Sequence, residues 1–399
     1  MKNLEELRPL EGETIKEILH RYKIPSSSVI ILKDGIPISE NQRIKNDNEY
    51  IAVLIEGYNI KAIRDTYRES SLSLGTSVKE EHVYTKELLE FEADGELNHR
   101  SKHFTISDLS DYVKTTVIET CLNFNLIEEN DKILLGLSGG VDSSSLLLAM
   151  AEAKEKLPSF ELSAVTFEDF DSQESPAFQH ASNIAQRFNV NHYIAPASLA
   201  EKVFNLNCSI KDVLPMLMKT KYAHFTMYID HHTTRRTLEV FSKENSLNKI
   251  ALGLHTTDLI GGLLNEFMTG YKSSELPLRK LPNIDYIYPL AFIQKRELHL
   301  YHLQKFGELA RHTTPNQWER DPKDRNFYYY MADTLQNIWP GLESMLFVAH
   351  NNKAKQSDLQ FSECENCGCA YLPQLKSSQN NTSGLCDACW VFSETGNLN

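Results

Sequence analysis

The sequence predicts an α/β protein built on a doubly wound parallel sheet, with a small module ahead of it and a cysteine-rich one behind. Three observations predict this. From residue 132 to about 310, short apolar runs alternate with helical stretches, the pattern of strands joined by crossover helices. Residues 132–150, KILLGLSGGVDSSSLLLAM, read as a buried strand, a Gly/Ser loop and an apolar helix. Near the C-terminus stand two CxxC pairs, Cys364/Cys367 and Cys386/Cys389.

The elements follow in chain order. Residues 1–60 predict a small domain. Its helix carries Ile15, Ile18, Leu19 and Tyr22 on one face and breaks at Pro25-Ser26-Ser27-Ser28. A hairpin of Val29–Lys33 and Ile36–Ile38 turns at Asp34-Gly35, and Tyr50–Glu56 is a further strand. Residues 61–104 are polar and read as a linker with short helical pieces. Residues 105–350 form the main domain. Ile106–Phe124 predicts a helix, with Cys121 in its apolar face, leading into the strand Ile133–Leu137. Then come strand 162–167, helix 177–188, strand 190–194, helix 233–242, strand 249–253 and helix 259–268. Residues 351–399 form the last module. Ligands of such sheets bind at the carboxyl ends of the strands. That rule gathers Ser138–Ser144, Phe167–Asp171 and Leu254–Asp258 at one rim.

Composition sets bounds on function. The chain has 399 residues, enough for two or three domains, with 41% hydrophobic and 24% charged residues as in soluble globular proteins. No apolar run approaches the length of a membrane span, and the charged N-terminus lacks a secretory signal core. Seven cysteines, four in CxxC pairs, fit a reducing cytoplasm and metal binding better than disulfides. A net charge of −13 weighs against a surface coated for nucleic acid. It leaves room for a local basic patch from Lys219, Lys221, Arg235, Arg236, Arg279 and Lys280.

The Gly/Ser loop has the chemistry of a phosphate site. Gly139 and Gly140 let the backbone turn tightly and approach an anion, Val141 lies in the same loop, and Ser145–Met150 opens an apolar helix. The hydroxyls of Ser138, Ser143 and Ser144 and the free N–H groups of the first helical turn can donate to that anion. Asp142 suits a phosphate only with a cation between them, so it is a candidate Mg²⁺ partner. No lysine follows the glycines, which excludes the GxxxxGK[ST] loop. The stretch resembles the SGGxDS loop of the PP-loop (HUP-like) N-type ATP pyrophosphatases, the adenine-nucleotide alpha hydrolases. That resemblance implies cleavage of ATP to AMP and pyrophosphate. Phe167 and Gly253 join Ser138–Ser144 as expected nucleotide contacts.

Leu252–Asp258 is similar to the GH(N/H)xDD element of the tRNA-thiolation enzymes of the TtuA/TtcA group. Gly253 and Asp258 match it; Leu254, His255 and Thr257 depart. The resemblance assigns Asp258, with Asp142 and His255, to catalysis or Mg²⁺ binding. It extends over residues 105–390, through Arg279, Lys295-Arg296-Glu297, Asp324-Arg325-Asn326 and Trp339–Glu343, where a solvated helix start is the alternative for 295–297. Sulfur-transferring members carry CxxCGxxRR before that element. Here residues 227–236 read MYIDHHTTRR: the arginines remain and the cysteines do not. His231 and His232 could bind a metal or act as a base, and Cys208 could supply a lone thiolate. Helix, hairpin and late strand in residues 1–60 resemble the β-grasp, ubiquitin-like sulfur carriers of the ThiS/MoaD type, without their free Gly-Gly end. A docking module is the expectation there.

Cys364, Cys367, Cys386 and Cys389, separated by a Gly/Ser/Asn-rich hairpin, suit tetrahedral Zn²⁺, with Cys369 spare and an iron–sulfur cluster as the lesser alternative. The end of the chain resembles the zinc ribbon of wobble-uridine thiolation enzymes. Together the resemblances imply an adenylating enzyme using ATP and Mg²⁺ to activate a substrate oxygen for replacement by sulfur. Its acceptor would be tRNA, its sulfur would come from a partner protein, and a homo-oligomer is open. The alternatives are a ligase or thionating enzyme acting on a small molecule or protein, and a non-catalytic nucleotide-binding scaffold.

Overall fold

The computed structural model describes residues 2–3, 12–21, 29–33, 36–44, 50–54, 82–91, 97–168, 176–196, 198–222, 226–269, 274–306, 328, 331–332, 335–336, 339, 341–356, 360–373, 381 and 383–398. The sequence readings at Tyr22, Pro25-Ser26-Ser27-Ser28, Asp34-Gly35 and residues 55–56, 61–81, 169–171 and 324–326 lie outside them.

The central sheet has six strands: β7 (Asp131–Gly136), β8 (Phe160–Phe167), β9 (Asn191–Ala195), β10 (Lys249–Ala251), β11 (Leu278–Lys280) and β12 (Asp285–Ile287). Their order is β11-β12-β10-β7-β8-β9, parallel except for the antiparallel edge strand β11. Strand order therefore reverses between β7 and β10. In an open α/β sheet this is the crevice where ligands bind. The sequence dictates the central position of β7. Leu134 and Leu135 point to opposite faces and both are buried, as a strand covered on two sides requires.

Helices cover both faces. α2 (Ile106–Asn123), α3 (Val141–Ala153), α4 (Pro176–Arg187) and α9 (Lys295–Phe306) bury one face around Val113, Val117, Leu135, Leu146, Ala181 and Leu298. α7 (Thr226–Glu244), α8 (Thr256–Thr269) and α10 (Leu342–Gln356) bury the other around Leu134, Leu238, Ile250, Ile260 and Phe347. α2 starts as its sequence dictates, with a capping box in which Thr105 accepts from the Asp108 amide and Asp108 accepts from that of Thr105. α7 runs well beyond the predicted 233–242. Two further helices, α5 (Ser198–Phe204) and α6 (Ile210–Leu217), were not legible as separate elements.

The N-terminal sheet has the order β1-β4-β2-β3 and is antiparallel throughout: β1 (Lys2–Asn3), β2 (Val29–Lys33), β3 (Ile36–Ile38) and β4 (Tyr50–Leu54). Both faces of β2 are buried. Val29 and Ile31 pack on Ile15 and Leu19 of α1 (Ile15–Arg21), while Ile30 and Leu32 pack with Leu109 and Leu300 of the main domain. Residues 84–104, expected as linker with helical pieces, instead form a hairpin of β5 (Tyr84–Phe91) and β6 (Leu97–Phe104). Its Tyr84 and Phe104 complete that interface. Their packing against distant Leu109 and Leu300 was invisible to local pattern.

A second correction concerns Lys295-Arg296-Glu297. These residues are buried, not a solvated helix start. Lys86 donates to Glu297 at 2.9 Å and to the Tyr112 hydroxyl at 2.6 Å, and Arg296 pairs with Glu40 at 2.8 Å. Burial disfavours the Lys86 charge, yet Glu297, Tyr112 and Glu343 together outweigh it and hold its pKa above the ordinary value. Burial pushes the Tyr112 hydroxyl up to about 12. These pairs tie the N-terminal sheet and hairpin to α9.

Removing one member of such a pair strands the other charge, at a cost of about 3–5 kcal/mol. Lys86→Met should lower the unfolding free energy by that amount in chemical denaturation. The Lys86→Met, Glu297→Leu double variant should recover part of the loss. A single-variant loss below about 1 kcal/mol, the range of an exposed pair, would contradict this role for Lys86.

Candidate functional site

The loop after β7 is shaped from within. Ser143 Oγ lies 3.0 Å from Ser138 Oγ and accepts the Ser138 N–H at 3.1 Å. The Gly140 N–H reaches Ser138 Oγ at 3.3 Å. Gly139 has φ +77°, and a Cβ there would stand 1.9 Å from the Ala177 carbonyl oxygen in the first turn of α4. Only glycine fits that position. Thr166, near the end of β8, donates to the Leu137 carbonyl at 2.6 Å and contacts His192 Nε2 at 2.8 Å. Burial lowers the His192 pKa and favours the neutral ring. This support from β8 and β9 was not foreseen. Its one sequence signal is a polar residue placed late in an apolar strand.

Across the switch point, β10 leads through Gly253 into α8. A Cβ on Gly253 would come within 2.9 Å of the Asp142 carbonyl carbon and 3.0 Å of the Ser143 nitrogen. Gly253 is thus the place where the two sides of the crevice touch. Thr256 anchors the second loop by donating to the Ala291 carbonyl at 2.8 Å, and its N–H reaches the Ile293 carbonyl at 3.0 Å. Thr257 is buried and accepts from Gln336 Nε2 at 3.4 Å.

Asp142, His255 and Asp258 converge here, with ligand atoms all within 4.8 Å of one another. His255 is fully buried, and its Nε2 lies 3.2 Å from Asp258 Oδ2. That carboxylate also accepts the His255 N–H at 3.3 Å, so one residue closes the start of α8 and faces the crevice. Asp142 Oδ1 is buried without a hydrogen-bond partner among the described residues. A carboxylate oxygen held out of water in this way is the donor a hard divalent cation takes. The set therefore fits Mg²⁺, between the N-termini of α3 and α8, where both helix dipoles favour an anion. Ser144 Oγ is also buried without a partner among the described residues. Phe167 ends β8 on the same rim, partly buried against the Leu134–Val165 cluster.

The four cysteines of the CxxC pairs also come together, all buried, with sulfurs within 4.8 Å of one another. The first pair lies in the turn joining β13 (Ser362–Glu363) to β14 (Ala370–Tyr371). The second opens α11 (Asp387–Glu394), with Cys386 at its N-cap. The expected pair of knuckles is therefore one turn and one helix start. The Cys386 N–H donates to Cys364 Sγ at 3.2 Å and Asn366 Nδ2 to Cys389 Sγ at 3.3 Å, contacts that hold thiolates in place. Cys369 lies close by, in a second, overlapping group with Cys367, Cys386 and His232. Cys208 lies apart, against Asn397. Burial, with Asp212 and Glu201 nearby, raises its pKa, the reverse of an activated thiolate.

Residues 113–308 match the PP-loop domain family. That stretch, just under half of the chain, holds all six strands of the central sheet. Similar proteins include the tRNA-cytidine(32) 2-sulfurtransferase of Shewanella baltica, 26% identical over 261 residues, which cover 63% of this chain and 78% of that protein. The tRNA-cytidine(32) 2-sulfurtransferase 1 of Francisella tularensis subsp. novicida is 27% identical over 256 residues, 62% of this chain and 88% of its own length. Among solved structures, the U34-tRNA thiolase NcsA of Methanococcus maripaludis, with its [4Fe-4S] cluster, superposes with a TM-score of 0.53 at 16% identity. The match covers 75% of this chain and 92% of that one, and supports the fold.

The Gly253 contact makes a direct prediction for this PP-loop site. Gly253→Ala should push the first turn of α3 aside and weaken ATP binding at least about tenfold, roughly 1.4 kcal/mol, in calorimetric titration. Gly262→Ala, where a Cβ meets nothing within 4 Å, should bind as wild type. Equal affinity of both variants would remove Gly253 from the account.

Proposed function

We propose that the chain is an ATP-dependent adenylating enzyme that activates a substrate oxygen for replacement by sulfur, with tRNA as the acceptor class. The observation that carries this reading is the convergence of Asp142, His255 and Asp258 on the Ser138–Ser144 loop at the switch point. Ser138, Gly139, Gly140, Val141, Ser143 and Ser144 hold the phosphates, and Phe167 and Gly253 border the nucleotide. Asp142 and Asp258 hold Mg²⁺, with His255 orienting Asp258. Bound there, the cation would neutralise charge developing on the phosphates.

The chemistry then runs in two displacements. A base carbonyl oxygen attacks the α-phosphorus, the bond to the β-phosphate bridging oxygen breaks, and pyrophosphate leaves. Loop amides and hydroxyls stabilise the charge on the phosphoryl oxygens. A sulfur nucleophile at the sulfide level next attacks the activated carbon, and the C–O bond breaks to release AMP. No external oxidant or reductant is needed. Residues 227–236 hold no cysteine, so sulfur comes on a separate donor, a partner protein or sulfide. The tetrathiolate centre is read as a Zn²⁺ site: four buried Cys ligands in tetrahedral-sized spacing close the ion off from substrate. The tRNA acceptor draws support from the two sulfurtransferase relatives. The missing cysteines and the charge of −13 favour a second reading, thionation or ligation of a small molecule.

The test is nucleoside mass spectrometry of tRNA incubated with the protein, Mg²⁺-ATP and sulfide. A thionucleoside gained by wild type, and lowered at least about 10²-fold by Asp142→Ala, is the expected result. ATP turnover without any change in tRNA would instead favour the small-molecule acceptor.

A further inference from the structure

The six ligands around the C-terminal cysteines outnumber what one tetrahedral ion can use. Two four-membered groups exist: Cys364, Cys367, Cys386 and Cys389, and His232, Cys367, Cys369 and Cys386. They share Cys367 and Cys386. We infer that the centre is binuclear: two zinc ions bridged by the thiolates of Cys367 and Cys386, the first capped by Cys364 and Cys389, the second by Cys369 and His232.

The geometry supports the shared edge. A tetrahedral zinc with sulfur at about 2.3 Å and nitrogen at about 2.0 Å sets S–S edges near ~3.8 Å and S–N edges near ~3.5 Å. Cys367 Sγ lies 3.9 Å from Cys386 Sγ, and Cys386 Sγ lies 3.5 Å from His232 Nε2. The bridging sulfurs need only draw together by a few tenths of an ångström as the ions share them. Charge supports it as well. One divalent ion among five thiolates leaves three negative charges in a buried centre, and a second ion leaves one. Arg236 packs on Gly368, between Cys367 and Cys369, and donates to the Cys367 carbonyl at 2.7 Å while pairing with Glu239 at 2.9 Å.

The second ion also has a structural consequence. His232 comes from α7, an element of the PP-loop domain, whereas Cys369 comes from the C-terminal module. A metal bond between them would staple that module onto α7, where Phe204, Ile229 and Phe392 already share one apolar cluster. Since α7 enters β10 at its C-terminal end, its N-terminal half, with His232, lies toward the rim of the sheet that carries the phosphate loop.

This inference rests on the four-cysteine site holding zinc, and the experiment separates the two. Metal analysis and native mass spectrometry of the full chain, reconstituted with zinc, should find two ions per chain. His232→Ala and Cys369→Ser should each fall to one, with near-ultraviolet circular dichroism unchanged. Cobalt titration provides a second measure, expected to saturate at two equivalents in wild type and one in either variant. One ion in wild type, unaltered by both substitutions, overturns the binuclear centre and leaves the tetrathiolate site standing. No zinc, or iron with acid-labile sulfide, overturns both.

Discussion

The approach of Gly253 to the backbone of Asp142 and Ser143 is the constraint on which the site depends. β7 and β10 are neighbours whose connections leave in opposite directions, so their C-terminal loops diverge. A side chain at residue 253 would hold the start of α3 away from the start of α8. Without one, two helix N-termini meet in one crevice. Asp142 then reaches the His255–Asp258 pair, and the loop serines face the same space. Gly139, pressed on Ala177, fixes the far side of the loop in the same manner.

Around this point the flanking modules act as braces. α9 receives the N-terminal sheet and the hairpin through Arg296–Glu40 and Lys86–Glu297, buried charges that lose their solvation and so tolerate few alternative partners. α7 receives the cysteine module through Phe204, Ile229 and Phe392 and through His232 beside Cys386. Both helices border the sheet that carries the phosphate loop. The modules thus pack on opposite faces of one domain, and a net charge of −13 can coexist with a crevice flanked by two helix N-termini.

What the sequence made legible follows from which interactions are local. The strand read at Ile133–Leu137 and the turn after it are specified by contiguous residues; the strand stands at Asp131–Gly136, and the helix opens at Val141, four residues earlier than the pattern places it. Asp258 and His255 were legible because they follow a strand at the same rim, at the start of α8. The hairpin over 84–104 was not, since its strands carry Glu87, Glu90, Arg100 and Lys102 as a linker would, and its apolar partners are Leu109 and Leu300. Lys295-Arg296-Glu297 misled for the same reason: charge reads as exposure unless the opposing Lys86 and Glu40 are known. That Cys369 has His232 in its neighbourhood was not legible, because His232 lies far upstream. The supporting Thr166–His192 pair carried almost no signal, being two ordinary strand residues that meet only across β8 and β9.

The claim at the centre of this account is that the crevice directs attack to the α-phosphorus of ATP. It is tested most directly by following ATP labelled on the α-phosphate, with Mg²⁺ and tRNA, and separating the labelled products. The account predicts labelled AMP with stoichiometric pyrophosphate, and its loss in Asp142→Ala. Labelled ADP as the product, or AMP formation untouched by that substitution, would contradict it.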